Sequence, residues 1–410
     1  MRVFAEHLVL PEGVRHNVWL DTGGTEGPAE VRLGTVVPAF ANTHSHAFHR
    51  LLRGRTNGGG GDFWRWRTEM YAVAARLDPD LMYEVAALVY AEMVAAGYSS
   101  VGEFHYVHHA ADGTPYPKHD MELALVAAAH TAGIRLTLLD TLYLHGGFGR
   151  PLGEQQRRFG DGNVERWLER WHDLRAVVRG ATLGAAFHSV RAVAPSELAA
   201  AVRGLPEDVP LHVHLSEQPA ENEECLQETG LTPAALLQSA GALSPRTTVV
   251  HATHLSDDDV RLLGASEVAV AMCPSTEGDL GDGLGRARDL AEAGARITIG
   301  SDQHVTIDPF EELRLVERGA RLASGERGVF TPGELWTMGT TDGHHALRQD
   351  ASIDLVEVDA ASVRTLGSRP EELVLTATAS DVRTVITQGA LRAGPDLDRA
   401  ARLFRSVEGC

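Results

Sequence analysis

The sequence predicts an α/β protein: a (β/α)8 barrel carrying a small β-sandwich domain formed by both chain termini. Three observations carry that prediction. Short apolar runs alternate with helix-length segments from about residue 36 onward, the order that builds a parallel sheet. Eight such units fit into roughly 300 residues, which favours a closed barrel over an open sheet. Polar residues gather where the apolar runs end and are not scattered through them.

The predicted strands are 35–42, 98–105, 134–142, 181–188, 210–216, 247–253, 267–273 and 296–301. In the first connection, Met82, Val85, Val89 and Met93 share one helical face, with Pro79-Asp80 suited to the start and Gly97 to the stop. Further helical stretches are expected at 120–132, 163–178, 196–203, 232–240, 256–263 and 284–293. Two connections are long. One, 54–78, holds Gly58-Gly59-Gly60-Gly61 followed by Phe63-Trp64-Arg65-Trp66, and the other, 143–165, is also glycine-rich. Long loops after strands sit on the face of a barrel where sites are built. Outside the barrel, Arg2–Leu10, Arg15–Asp21, Ser352–Asp359 and Asp381–Gln388 read as strands. The expected division is 1–36 with 352–410 as the small β domain and 37–351 as the barrel.

The chain has 410 residues and a net charge of −19, with one lysine, Lys118, among its 37 basic residues. That charge disfavours nucleic acid and anionic membranes as partners. It does not exclude a small anion met by local arginines. No stretch approaches the length of a membrane span, no leader-like segment opens the chain, and Cys225, Cys273 and Cys410 suggest no disulfide framework. A cytoplasmic protein is the expectation.

His44 and His46, two apart at the end of the first strand, can face one spot. His214 and Glu217 end the fifth strand, His251 the sixth, and Ser301-Asp302 the eighth; His188 and Arg191 follow the fourth. In a barrel these ends converge. Imidazoles and a carboxylate suit Zn²⁺ or Fe²⁺ with a position left for water. No glycine-rich phosphate loop follows the first strand, which weakens a dinucleotide-binding reading.

These residues resemble the amidohydrolase superfamily of metal-dependent hydrolases. Longer strings resemble one branch of it, the formimidoylglutamate deiminases of histidine degradation. The strings are His44–Phe48, Phe63–Arg67, Glu103–His109, His251–His254, Ser275–Glu277 with Leu280–Gly283, and Gly300–His304. The resemblance runs over nearly the whole chain. It implies hydrolysis of N-formimidoyl-L-glutamate to N-formyl-L-glutamate and ammonia. It also implies His44, His46, His214 and Asp302 as ligands of a divalent metal, Zn²⁺ first and Fe²⁺ second. The bridging lysine of binuclear relatives has no counterpart at Phe187-His188-Ser189, so one metal per subunit is expected. Glu217, His251 and Asp302 are the expected catalytic groups. His49, Arg67, Tyr106, His188 and Arg191 are the expected substrate contacts, and a homodimer is implied. His49 stands where the family has glutamine and Gln303 where serine is usual, differences that bear on substrate contact. Two other readings stay open: another deaminase of the superfamily, acting on a guanidino acid or nucleobase, and a barrel without activity.

Overall fold

The structure is a computed structural model of the chain, and it describes all residues except 25–26, 57–62 and 409–410. The glycine run at 58–61 therefore lies outside the described residues. The chain opens with β1 (Arg2–Leu10), β2 (Gly13–Asp21) and β3 (Glu30–Pro38). It then enters the barrel at β4 (Phe40–Ser45), followed by β5 (Tyr98–His105) and β6 (Arg135–Leu142). A short hairpin, β7 (His145–Gly147) and β8 (Arg150–Pro151), interrupts the repeat. The barrel resumes with β9 (Thr182–Phe187), β10 (Leu211–Leu215), β11 (Thr247–His251), β12 (Ala269–Met272) and β13 (Arg296–Ile299). The chain returns to the first sheet through β14 (Leu355–Val358), β15 (Val382–Thr387) and β16 (Ala390–Leu391).

The eight barrel strands pair in parallel in the order β13-β12-β11-β10-β9-β6-β5-β4. A parallel bridge between Ser45 and Asp302 closes the ring, with His46 N–H donating to the Asp302 carbonyl (3.2 Å) and Asp302 N–H to the His44 carbonyl (3.0 Å). At the opposite end of β4, Phe40 packs against Phe310 and Trp336, with ring centroids 5.0 and 5.8 Å away. The barrel is thus plugged by aromatics below and lined by polar groups above.

The appended β domain is present as a single six-stranded sheet, β16-β15-β14-β3-β1-β2, with its own apolar cluster of Val3, Ala5, Leu8, Leu33, Val36, Leu355 and Ile386. The single strand expected at 35–42 is two strands in two sheets. The chain switches at Ala39, whose N–H bonds to Asp354, while Phe40 bonds to Gly97. One unbroken apolar run conceals such a switch, because both sheets bury it.

α1 (Phe63–Ala74) is the main departure, since it occupies the connection expected to be an irregular loop. α2 (Pro79–Ala95) begins where the sequence places it, with Asp78 capping Leu81 N–H at 2.8 Å and Pro79 in the first turn. α3 (Asp120–Ala132) and α4 (Val164–Val177) cover the next two strands. The C-terminal helix Leu397–Glu408 leaves the small sheet, and its Arg399 reaches Glu84 of α2 with bonds of 2.7 and 2.8 Å. No helix among the described residues is long and apolar enough to cross a membrane.

Candidate active site

His44 and His46 are both buried at the end of β4. Gly300 makes room for them: a Cβ there would lie 2.7 Å from the His44 Cβ and 2.9 Å from the Cys273 Sγ. The ends of the facing strands take unusual backbone. His251 has φ of 67° and Asp302 of 41°, left-handed values that cost a non-glycine residue on the order of 1–3 kcal/mol. They turn each side chain from the strand direction toward the barrel axis.

Four side chains meet there. The Nε2 atoms of His44 and His214 lie 3.2 Å apart. Asp302 Oδ1 is 3.4 Å from His44 Nε2 and 3.6 Å from His46 Nε2. His46 Nδ1 donates to the Phe104 carbonyl (2.8 Å) and His214 Nδ1 to the His188 carbonyl (2.9 Å). Those bonds place the proton on Nδ1 and leave the Nε2 lone pairs facing inward. Burial holds His44 and His214 well below the usual imidazole range and also lowers His46, so all three favour the neutral form. Imidazoles that favour the neutral form, converging on one point with a carboxylate, suit a divalent cation. The donor set fits Zn²⁺ or Fe²⁺. Lys118 is exposed in the loop before α3, remote in character from a bridging ligand.

His251 approaches the same centre, and its Nδ1 donates to Glu277 Oε1 (3.4 Å) while Nε2 lies 3.9 Å from Glu217 Oε1. Burial works against its charge, but Glu217, Glu277 and Asp302 outweigh that and raise its pKa to about 10. A second group, His105, His108 and Glu122, has metal-ligand composition and lies behind β5. There His108 bonds Glu122 (2.9 Å) through one nitrogen and the Thr141 carbonyl (2.9 Å) through the other, and Arg170 joins Glu122, Asp140 and Asp161. That group is an ion network, already filled by its own cation.

Above the cluster lies a pocket open to solvent. His46, His49, Arg67, Tyr106, His188, Arg191, His214, Glu217, His251 and Asp302, all expected from the sequence, line it, with Gln303 beside them. His44 sits beneath, fully buried. His49 Nε2 is 3.1 Å from the Tyr106 hydroxyl. Arg191 Nε stands 3.4 Å from Glu221 of the helix Pro219–Thr229, an acid not expected from the sequence. Burial lifts the Glu221 carboxyl to about 7 in spite of Arg191.

Four further lining residues were also missed: Trp66, Met70, Tyr71 and Tyr143. Residues 66, 67, 70 and 71 fall at the spacing of one helical face, a signal present in the sequence but overridden by the glycine run before it. Arg67 Nε bonds the Tyr71 hydroxyl (2.9 Å), and the Arg65 side chain lies outside the described ones.

Residues 35–361 match the model of the Amidohydrolase family. Formimidoylglutamate deiminase from Pseudomonas aeruginosa is 40% identical over 343 residues, 79% of this chain and 76% of that protein. A crystal structure of an amidohydrolase from Brucella melitensis superposes with a TM-score of 0.89 at 34% identity, covering 100% of this chain and 99% of that one. An adenosine deaminase from Xanthomonas campestris with bound zinc shares the fold, with a TM-score of 0.82 at 20% identity over 100% of this chain and 97% of that one. A closed parallel barrel, a buried His/Asp cluster at its strand ends and a family match over most of its length place this chain in the amidohydrolase family, as a hydrolase of carbon–nitrogen bonds.

Proposed function

We propose that the protein hydrolyses N-formimidoyl-L-glutamate to N-formyl-L-glutamate and ammonia. The observation that carries the reading is the placement of two arginines, Arg67 and Arg191, in one pocket with the His/Asp cluster. A dianionic substrate needs such cations in a chain of net charge −19. The 40% identity to a formimidoylglutamate deiminase supports the same substrate.

His44, His46, His214 and Asp302 would hold one divalent cation, Zn²⁺ in the first instance and Fe²⁺ as the alternative. When bound, such an ion lowers the pKa of a coordinated water from 15.7 to about 7 and polarises the reacting carbon's substituents. The residues do the rest. Arg67 and Arg191 take the two carboxylates, with Tyr106, His49 and His188 shaping the wall between them. Asp302 accepts a proton from the attacking water. Glu217 pairs with the cationic formimidoyl group and, once water has added to its carbon, moves the remaining hydroxyl proton to the terminal nitrogen, while the proton on Asp302 is released. His251, next to Glu217, orients the water and stabilises negative charge as it develops on oxygen. The new C=O bond forms as the C–N bond breaks, and nitrogen leaves as ammonia.

A cytoplasmic location and a homodimer complete the proposal, the latter to be checked by sedimentation velocity. The deciding experiment measures ammonia release from N-formimidoyl-L-glutamate beside N-guanidino-L-glutamate and a purine nucleoside. Preference for either alternative rejects the proposal in favour of another deaminase of the family. No release from any of them favours an inactive barrel.

A further inference from the structure

Tyr106 is the member of the Glu103–His109 string that lines the pocket, and the rest of the string leads to Arg158. This arginine is buried, 1% exposed, and its donors go to main-chain carbonyls. Nε and Nη2 reach the His109 carbonyl (3.1 and 2.9 Å), Nη2 also reaches that of Leu77 (2.8 Å), and Nη1 reaches that of Ala74. The Arg158 carbonyl in turn accepts the N–H groups of His108 (3.1 Å) and His109 (3.0 Å).

The two ends of this clasp differ. His108 is fixed to the barrel wall through Glu122 and the Thr141 carbonyl of β6, and His109 pairs with Asp161 (3.2 Å), which Arg170 of α4 holds in turn. Ala74 ends α1, its carbonyl also accepting the Leu77 N–H (3.1 Å), and Leu77 lies in the closing turn, where a helix end leaves carbonyls in need of further partners. A guanidinium there satisfies them and complements the helix dipole. α1 in turn presents Trp66, Arg67, Met70 and Tyr71 to the pocket. The next residue, Phe159, packs behind the same wall, with ring centroids 6.2 Å from Tyr71, 5.1 Å from Tyr106 and 5.5 Å from Tyr143.

We infer that Arg158 is a positioning residue: by clasping the C-terminal end of α1 to the barrel wall it sets where Arg67 and Tyr71 stand, and so governs affinity for a dicarboxylate without touching it. The inference rests on the proposed reaction in so far as Arg67 receives a carboxylate.

Arg158→Met and Arg158→Lys test it, assayed as metal-loaded enzyme. Displacing a binding group by about 1 Å costs up to roughly a hundredfold, so R158M is expected to raise KM for N-formimidoyl-L-glutamate by at least about tenfold. R158K, which keeps a buried cation with fewer donors, is expected to fall between. Bound metal per chain and kcat stay near wild type in both, and an N-formimidoyl analogue lacking one carboxylate loses less. A second measurement needs no substrate: hydrogen exchange of folded R158K is expected to quicken in residues 63–77 while the barrel strands keep their protection. Unchanged exchange there overturns the inference, whatever the substrate proves to be. A fall in kcat and metal content at constant KM overturns it as well. Failure of wild-type protein to release ammonia rejects the proposed substrate instead, and leaves the exchange result to decide on Arg158.

Discussion

Replacing Arg191 by alanine gives the most direct measure of how the pocket holds its anion. The side chain is 25% exposed and its nearest acid, Glu221, is 1% exposed, so the pair works in a poorly screened setting. A charge-assisted bond to a carboxylate contributes about 1.5–3 kcal/mol, and truncating one partner of a buried charge pair costs about 2–5 kcal/mol. Whether Glu221 adds repulsion once Arg191 is gone decides where in that range the effect falls. Its carboxyl already titrates at about 7 because burial opposes its charge and Arg191 only partly offsets this. Without Arg191 its pKa rises further, the carboxyl takes up a proton, and little repulsion is added near neutral pH. The loss is then about 2–3 kcal/mol, or roughly 30- to 150-fold in kcat/KM, carried mainly by KM. Steady-state ammonia release, with metal content measured on the same samples, reads it out. R191A combined with Glu221→Gln is expected to match R191A alone. A KM for R191A within about threefold of wild type, at full metal content, refutes the argument.

Three more expectations follow from the same site. Glu217→Gln keeps its metal but loses roughly 10²- to 10⁴-fold in kcat, since an amide cannot carry the proton; near-full turnover would remove Glu217 from the mechanism. Stripping the metal with a chelator abolishes ammonia release and lowers Tm, because an ion bound only by the folded state stabilises it by about 3 kcal/mol at a hundredfold excess over Kd; an unchanged Tm contradicts the ligand set. Glu221 has a folded pKa of about 7, above its unfolded value of 4.5, so folding favours its neutral form. The stability this group adds should therefore be lost as pH rises from about 4.5 to about 7, by up to the order of 3 kcal/mol, and level off above that, and Glu221→Gln should flatten that fall in a Tm-against-pH series.

The parts of this molecule that sequence reveals are those where one physical demand dominates. Barrel strands must be apolar on both faces, so β5, β6 and β9 to β13 stand out to within a few residues. Residues at strand ends are freed from that demand, so His44, His46, His214, His251 and Asp302 stand out against it. α1 hides because its inward face mixes Trp66, Met70 and Tyr71 with Arg67, which blurs an apolar stripe. Glu221 hides because an acid near the start of a helix reads as ordinary surface; only tertiary burial against Arg191 makes it unusual. The strand switch at Ala39 has no local signature at all, since it depends on partners near the other end of the chain.

That switch also sets an order of events during folding. β4 bears His44 and leads directly into His46, and the strand immediately before it is held by β14: Gly34 donates to Glu357, 323 residues away in sequence. Closing so long a loop is costly in entropy and slow, and topologies that depend on distant pairings fold slowly. On the ribosome, β3 waits unpaired on that side until nearly the whole chain has emerged. The strand that leads to His44 and His46 is thus anchored by a sheet that is completed last.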